Sequence, residues 1–298
     1  MTHASRLAPI TLRHRRHRLA PRAVALAVAL VLAWPAAASA AGVARSGVTA
    51  RPHGKRTAGM ARIPAGRYMP LYGTLGEKSV RVEAFALDRE PVTRGEFLAF
   101  VREHAGWRRG AVRPLFAEAD YLAEWKGTLD AGDAADLRRP VTSVSWFAAR
   151  AYCAAQGKRL PTVDEWEYAA QASATRRDAS RDPEFRRRLL DLYTARRTDA
   201  FPPVGSGQRN VYGVRDLHES AWEWTEDFNG VLVPDDSRDT GSGVGARDHQ
   251  LFCASAAIGA ADPSNYPAFL RYAFRAGLTA RSTLRTLGFR CASGAAGA

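Results

Sequence analysis

Three cysteines, Cys153, Cys253 and Cys291, and one acidic stretch, DLHESAWEWTED, carry most of the chemistry-bearing residues of this 298-residue chain. A thiol outside the reducing cytosol is paired, buried and inert, or kept for metal binding or redox chemistry. Cys253 sits in LFCASAAIG, a run of small residues that does not explain a thiol. Two readings stay open for it: a reactive or metal-binding group, or a small hydrophobe. In the acidic stretch Asp216 and Glu223 lie seven residues apart around a turn. His218 beside them reads as a general base or as a hydrogen-bonded structural histidine.

The first forty residues set the compartment. A basic stretch, RHRRHRLAPR, precedes the apolar run 23–34, and Ala38-Ser39-Ala40 follows at a cleavage-like spacing. This is the layout of a secretory signal peptide, too short in its apolar part for a spanning helix. The expectation is a periplasmic or secreted, monomeric protein with no stable membrane insertion after cleavage. Of the formal charge of +13, six units belong to Arg6, Arg13, Arg15, Arg16, Arg18 and Arg22, leaving +7 for the mature chain. That charge is interleaved with acids, as in RRDASRDPEFRRRLLDLYTARR, which reads as a solvated helix and argues against a nucleic-acid partner.

The elements that position these residues follow from pattern. Residues 41–58 are small and polar, a flexible lead-in. MARIPAGRY and VRVEAFALDRE alternate as strands do. In VTRGEFLAFVREH, Thr93 and Glu96 form a capping box, with Phe97, Phe100 and Val101 on one face. Ser145 opens a second helix carrying Trp146, Ala149 and Cys153 on one side, and Gly157 stops it. Thr162 with Glu165 opens a third, burying Trp166, Ala169 and Ala170. Asp182 and Pro183 open a fourth. From Pro202 onward the absence of long periodic runs predicts short strands and long loops held by aromatics.

The phrases IPAGRY, FALDREPVTRGEF, RPVTSVSWFAARAYCAAQGKRLPTVDEWEYAA, NVYGVRDLHESAWEWTED and LGFRCAS resemble, in order from about Ala61 to Ser293, the formylglycine-generating enzyme (sulfatase-modifying factor) family. The resemblance implies one α+β domain over 59–293, of the C-type-lectin-like superfold and poor in regular secondary structure, with 294–298 as a tail. It implies a Cys153–Cys291 disulfide, which the chain-entropy argument values at about 4–5 kcal/mol. It aligns Cys253 with a catalytic thiol.

The family's thiol partner five positions on, with which Cys253 would hold Cu(I), is here Ile258. A linear two-sulfur copper site needs both soft donors, and these positions supply one; His249, four residues before Cys253, is the replacement ligand to test. The resemblance also implies calcium held by the side chains of Asp216 and Glu223 and the carbonyls of Glu219 and Ala221, a shell that water would complete. In the alternative without calcium, Asp216 caps a turn, Glu223 pairs with an arginine, and Trp222 and Trp224 pack the core.

Three functions are expected. The first is an exported accessory or maturation factor for another exported enzyme, such as a copper enzyme, resembling the branch that accompanies copper nitrite reductase. The second is a copper-dependent oxidoreductase that converts a cysteine of an exported polypeptide. The third is a non-catalytic, lectin-like module that binds peptide or glycan.

Overall fold

The computed structural model describes residues 59–71, 79–195, 200–229 and 264–294. The leader, the lead-in, His249, Cys253, Ile258 and residues 295–298 lie outside the described residues. The described chain is α+β, with short strands and five α-helices. Among the described residues no helix is long and apolar enough to cross a membrane.

The alternating phrases form β1 (Met60–Ile63), β2 (Gly66–Tyr68), β3 (Val80–Val82) and β4 (Phe85–Asp88). β1 pairs antiparallel with β4, from Met60 opposite Asp88 to Ile63 opposite Phe85. β2 pairs with β3 between them. Helix α1 (Arg94–Glu103) starts at the expected capping box: Thr93 Oγ1 accepts the Glu96 N–H at 3.1 Å, and Glu96 accepts the Thr93 N–H at 2.8 Å. Phe97, Leu98, Phe100 and Val101 are buried.

Helix α2 (Trp146–Ala155) is capped by Ser145. It ends where Gly157 takes φ +68°, the left-handed turn a glycine enters without steric cost. Helix α3 (Val163–Ala170) repeats the capping box with Thr162 and Glu165. Helix α4 (Pro183–Thr194) has Asp182 as its cap and buries only Phe185 and Leu189, as a solvated helix should.

The second half departs from expectation at one place. It does hold short strands: β5 (Trp222–Glu223) runs parallel to β6 (Leu287–Gly288), and β7 (Ala292–Ser293) adds to the free edge of β4. It also holds a helix, α5 (Tyr266–Ala276), with Asn265 as N-cap and Pro267 in its first turn. Its apolar period is broken because two arginines, Arg271 and Arg275, sit on its buried face. A periodicity reading counts such positions as solvent-facing.

The main core joins α1 and α2 to the C-terminal strands. Phe97 packs edge-on against Phe289 at 6.1 Å between ring centroids and stacks near Tyr152 at 5.8 Å. The implied disulfide is present: Cys153 of α2 and Cys291 are bonded across 138 positions, and both are fully buried. A second core layer sets α3, through Trp166 and Ala169, against Ile63 and Leu87 of the β1–β4–β7 sheet. Gly288 is required where β6 passes Val141: a Cβ there would stand 2.5 Å from the Val141 carbonyl oxygen.

Candidate functional site

The acidic loop folds as a tight turn. Asp216 has φ +62°, which short polar side chains tolerate better than most, and its carboxylate accepts the N–H groups of Gly205 and Gly207, the latter at 2.6 Å. Asp216 and the Glu219 carboxylate close over Gly207, so a Cβ there would meet both, at 2.5 and 2.9 Å. Ala221 is buried beside β6.

Glu223 is deeper still. Its side chain and that of Arg290 are both fully buried, and the two form a bidentate pair. Oε1 accepts from Arg290 Nε at 3.0 Å and Nη2 at 2.8 Å. Oε2 accepts from Nε at 2.8 Å and from the Trp166 indole N–H at 2.7 Å. The rest of the guanidinium donates to the carbonyls of Asp88, Arg89 and Arg215. Every polar atom of this pair has a partner, as burial in a low dielectric demands.

These residues do not fit the calcium expected at Asp216, Glu219, Ala221 and Glu223. Calcium takes six to eight oxygens with free lone pairs. Glu223 makes four contacts to nitrogen donors, and Asp216 is occupied by two backbone amides. A cation at Glu223 would have to displace Arg290 and strand a buried guanidinium. The residues take the alternative arrangement instead, with Arg290 as the counter-charge and the Trp224 side chain in the core. His249 and Cys253, the expected copper ligands, lie outside the described residues.

A second buried charge cluster lies beside the first. Glu167 of α3 faces Arg271 and Arg275, one helical turn apart on α5. Arg271 grips both oxygens of Glu167, with Nη2 at 2.6 Å, and Arg275 Nη1 reaches the other oxygen at 2.6 Å. Burial alone would raise the Glu167 pKa; the two arginines outweigh it and hold the carboxyl at about 2. Next to it, His218 Nε2–H donates to the Ala170 carbonyl at 2.8 Å and Nδ1 accepts from the Tyr193 hydroxyl at 2.6 Å. Burial, reinforced by Arg271, lowers the imidazole to about 3. His218 is therefore neutral, with both nitrogens engaged, and its role is structural rather than that of a free base.

Arg275 also lines a cleft of about 210 Å³ between the end of α4, the turn before β5, and α5. Its walls include Tyr193, Trp222 and Phe274, with Trp222 stacked on Phe274 at 4.7 Å and 19°. Sequence pattern alone does not point to Arg275, Arg271 or Arg290. The signal available was an arginine enclosed by apolar residues, in FLRYAFRA and LGFRCA, where a charge implies a buried acid.

Comparison with known proteins shows what the chain is similar to. The chain is 31% identical over 289 residues to the inactive C-alpha-formylglycine-generating enzyme 2 of Bos taurus, covering 80% of this chain and 89% of that protein. It is 30% identical over 318 residues to the formylglycine-generating enzyme of Streptomyces coelicolor, covering 87% and 96%. Among solved structures, PvdO from Pseudomonas aeruginosa aligns at 20% identity and a TM-score of 0.41, over 78% of this chain and 93% of that one. Residues 46–295 match the sulfatase-modifying factor enzyme 1-like domain, and the chain belongs to that formylglycine-generating enzyme family.

Proposed function

We propose that this chain is an exported accessory member of the family, which binds another exported protein or peptide and assists its maturation without itself oxidising a cysteine. One observation carries this reading. Cys153 and Cys291 are bonded to each other, so Cys253 is the one remaining thiol, and Ile258 stands five positions beyond it. A Cu(I) centre built from two thiolates cannot be assembled from one. The likeness to a bovine relative whose name calls it inactive supports the same reading.

The test is oxygen uptake by the mature protein with a cysteine-containing peptide over a range of copper loads. The expected uptake equals that of Cys253→Ser. Uptake coupled to loss of the peptide thiol and abolished in Cys253→Ser would overturn the proposal. That result would favour the second reading, a copper-dependent oxidoreductase with Cys253 as its single thiolate and His249 as second donor. The likeness to the Streptomyces coelicolor enzyme is the observation on its side.

A further inference from the structure

The cluster of Glu167, Arg271 and Arg275 does not balance. One carboxylate faces two guanidiniums, both more than nine-tenths buried at 6% and 3% exposure. Arg271 is fully engaged: Nε and Nη2 go to Glu167, and Nη1 goes to Tyr193. Arg275 is not. It gives one Nη1–H to Glu167, and among the described residues no acceptor takes its other donors. Its guanidinium carbon lies 4.8 Å from the centroid of the Trp166 ring, which holds the head group in place.

The neighbouring charges do not cancel the surplus. Glu223 lines the same cleft, but Arg290 neutralises it. His218 lines it as a neutral imidazole. Asp227 senses Arg275, yet it stands at the surface and accepts the Val163 N–H at 2.7 Å. A buried arginine with open donors calls for an anion, and a planar guanidinium is matched best by a carboxylate. The walls specify the rest of the ligand: Tyr193, Trp222 and Phe274 are half-buried aromatic surfaces opening on the cleft. The volume of about 210 Å³ exceeds the roughly 150 Å³ that accommodates a benzene ring.

We infer that this cleft is a binding site for a carboxylate carried on a flat apolar body, with Arg275 as the anion anchor and Trp222, Phe274 and Tyr193 as the walls. The inference is independent of whether Cys253 has any chemistry. A free aromatic acid and the C-terminal carboxylate of a peptide ending in an aromatic residue present the same groups, and the assay separates them.

The experiment titrates the mature, disulfide-bonded protein with 3-phenylpropanoate, with 3-phenylpropanamide, and with an acetylated tripeptide ending in Phe, following tryptophan fluorescence and calorimetry. The acid is expected to saturate with a Kd of about 1 mM or tighter, as suits a ligand of that size. The amide is expected to bind about ten- to a hundredfold more weakly, the loss of one charge-assisted pair. Tighter binding of the tripeptide than of the acid would identify a peptide C-terminus as the source, and the reverse a small acid. Arg275→Gln should abolish the preference for acid over amide. Because that change also touches Glu167, Ser220→Phe provides a second arm: it fills the cleft from its rim, leaves the ion pairs intact, and should weaken the acid at least tenfold. Equal binding of acid and amide, unchanged affinity in Ser220→Phe, or no saturation by about 10 mM would each overturn the site.

Discussion

Glu223 and Glu167 are both buried acids paired with arginine, and they differ in how the charges around them sum. Glu223 meets one arginine, Arg290, whose donors all reach the carboxylate or a backbone carbonyl. Glu167 meets two, one of them at the wall of a cleft with donors unused. The closed pair ties the β5–β6 region to β4 and has nothing left for a ligand. The open cluster keeps a positive charge where solvent can be exchanged for something better. A perturbed buried charge therefore marks a candidate site when its partners fail to sum to zero, and a piece of architecture when they do.

The largest effect should come from breaking the closed pair. Arg290→Met leaves Glu223 charged and unpaired in the core, which costs about 3–5 kcal/mol. Chemical denaturation of the disulfide-bonded protein should show that loss, and calcium should not restore it. Next comes the open cluster. Arg271→Met removes three of the four contacts that Arg271 and Arg275 make to Glu167 and should cost about 2–3 kcal/mol, whereas Arg275→Met removes one and should cost about 1 kcal/mol. Equal losses in the two variants would mean that Glu167 holds Arg275 as firmly as Arg271.

The acid limb of stability gives the gentlest contrast. His218 and Glu167 both have folded pKa values below their unfolded ones, about 3 against 6.5 and about 2 against 4.5. In each case the unfolded state takes up protons first as pH falls. Stability from His218 is thus full above about 6.5 and declines toward 3, and that from Glu167 is full above 4.5 and declines toward 2. Each contributes a slope of at most about 1.4 kcal/mol per pH unit within its window. His218→Gln should flatten the profile between pH 6.5 and 4.5, halve the slope from 4.5 to about 3, where only Glu167 still contributes, and leave it unchanged below 3; melting curves across pH check it.

Much of the fold was legible because local rules were strong. Capping boxes at Thr93 and Thr162, the Ser145 cap with its Gly157 stop, and Asp182-Pro183 placed four helices from their first turns. Helix α5 was hidden by its arginines, although Asn265 and Pro267 announced its start. The candidate site was less legible for the same reason. The phrase DLHESAWEWTED drew attention to its own carboxylates, while Arg290, which decides the chemistry of Glu223, arrives from 67 positions away, and Arg271 and Arg275 reach Glu167 from 104 and 108 positions away. Which acid a buried arginine will meet depends on tertiary packing, and no spacing rule encodes it.

The functional reading rests on the thiol that the disulfide leaves over. Cu(I) titration of the mature, Cys153–Cys291-oxidised protein against a competing chelator, with Cys253→Ser and His249→Ala in parallel, tests it most directly. The account predicts that the parent protein and Cys253→Ser compete equally poorly for the metal. Tight one-to-one binding lost in Cys253→Ser would contradict it, establish Cys253 as a copper ligand, and return oxidative chemistry to this fold.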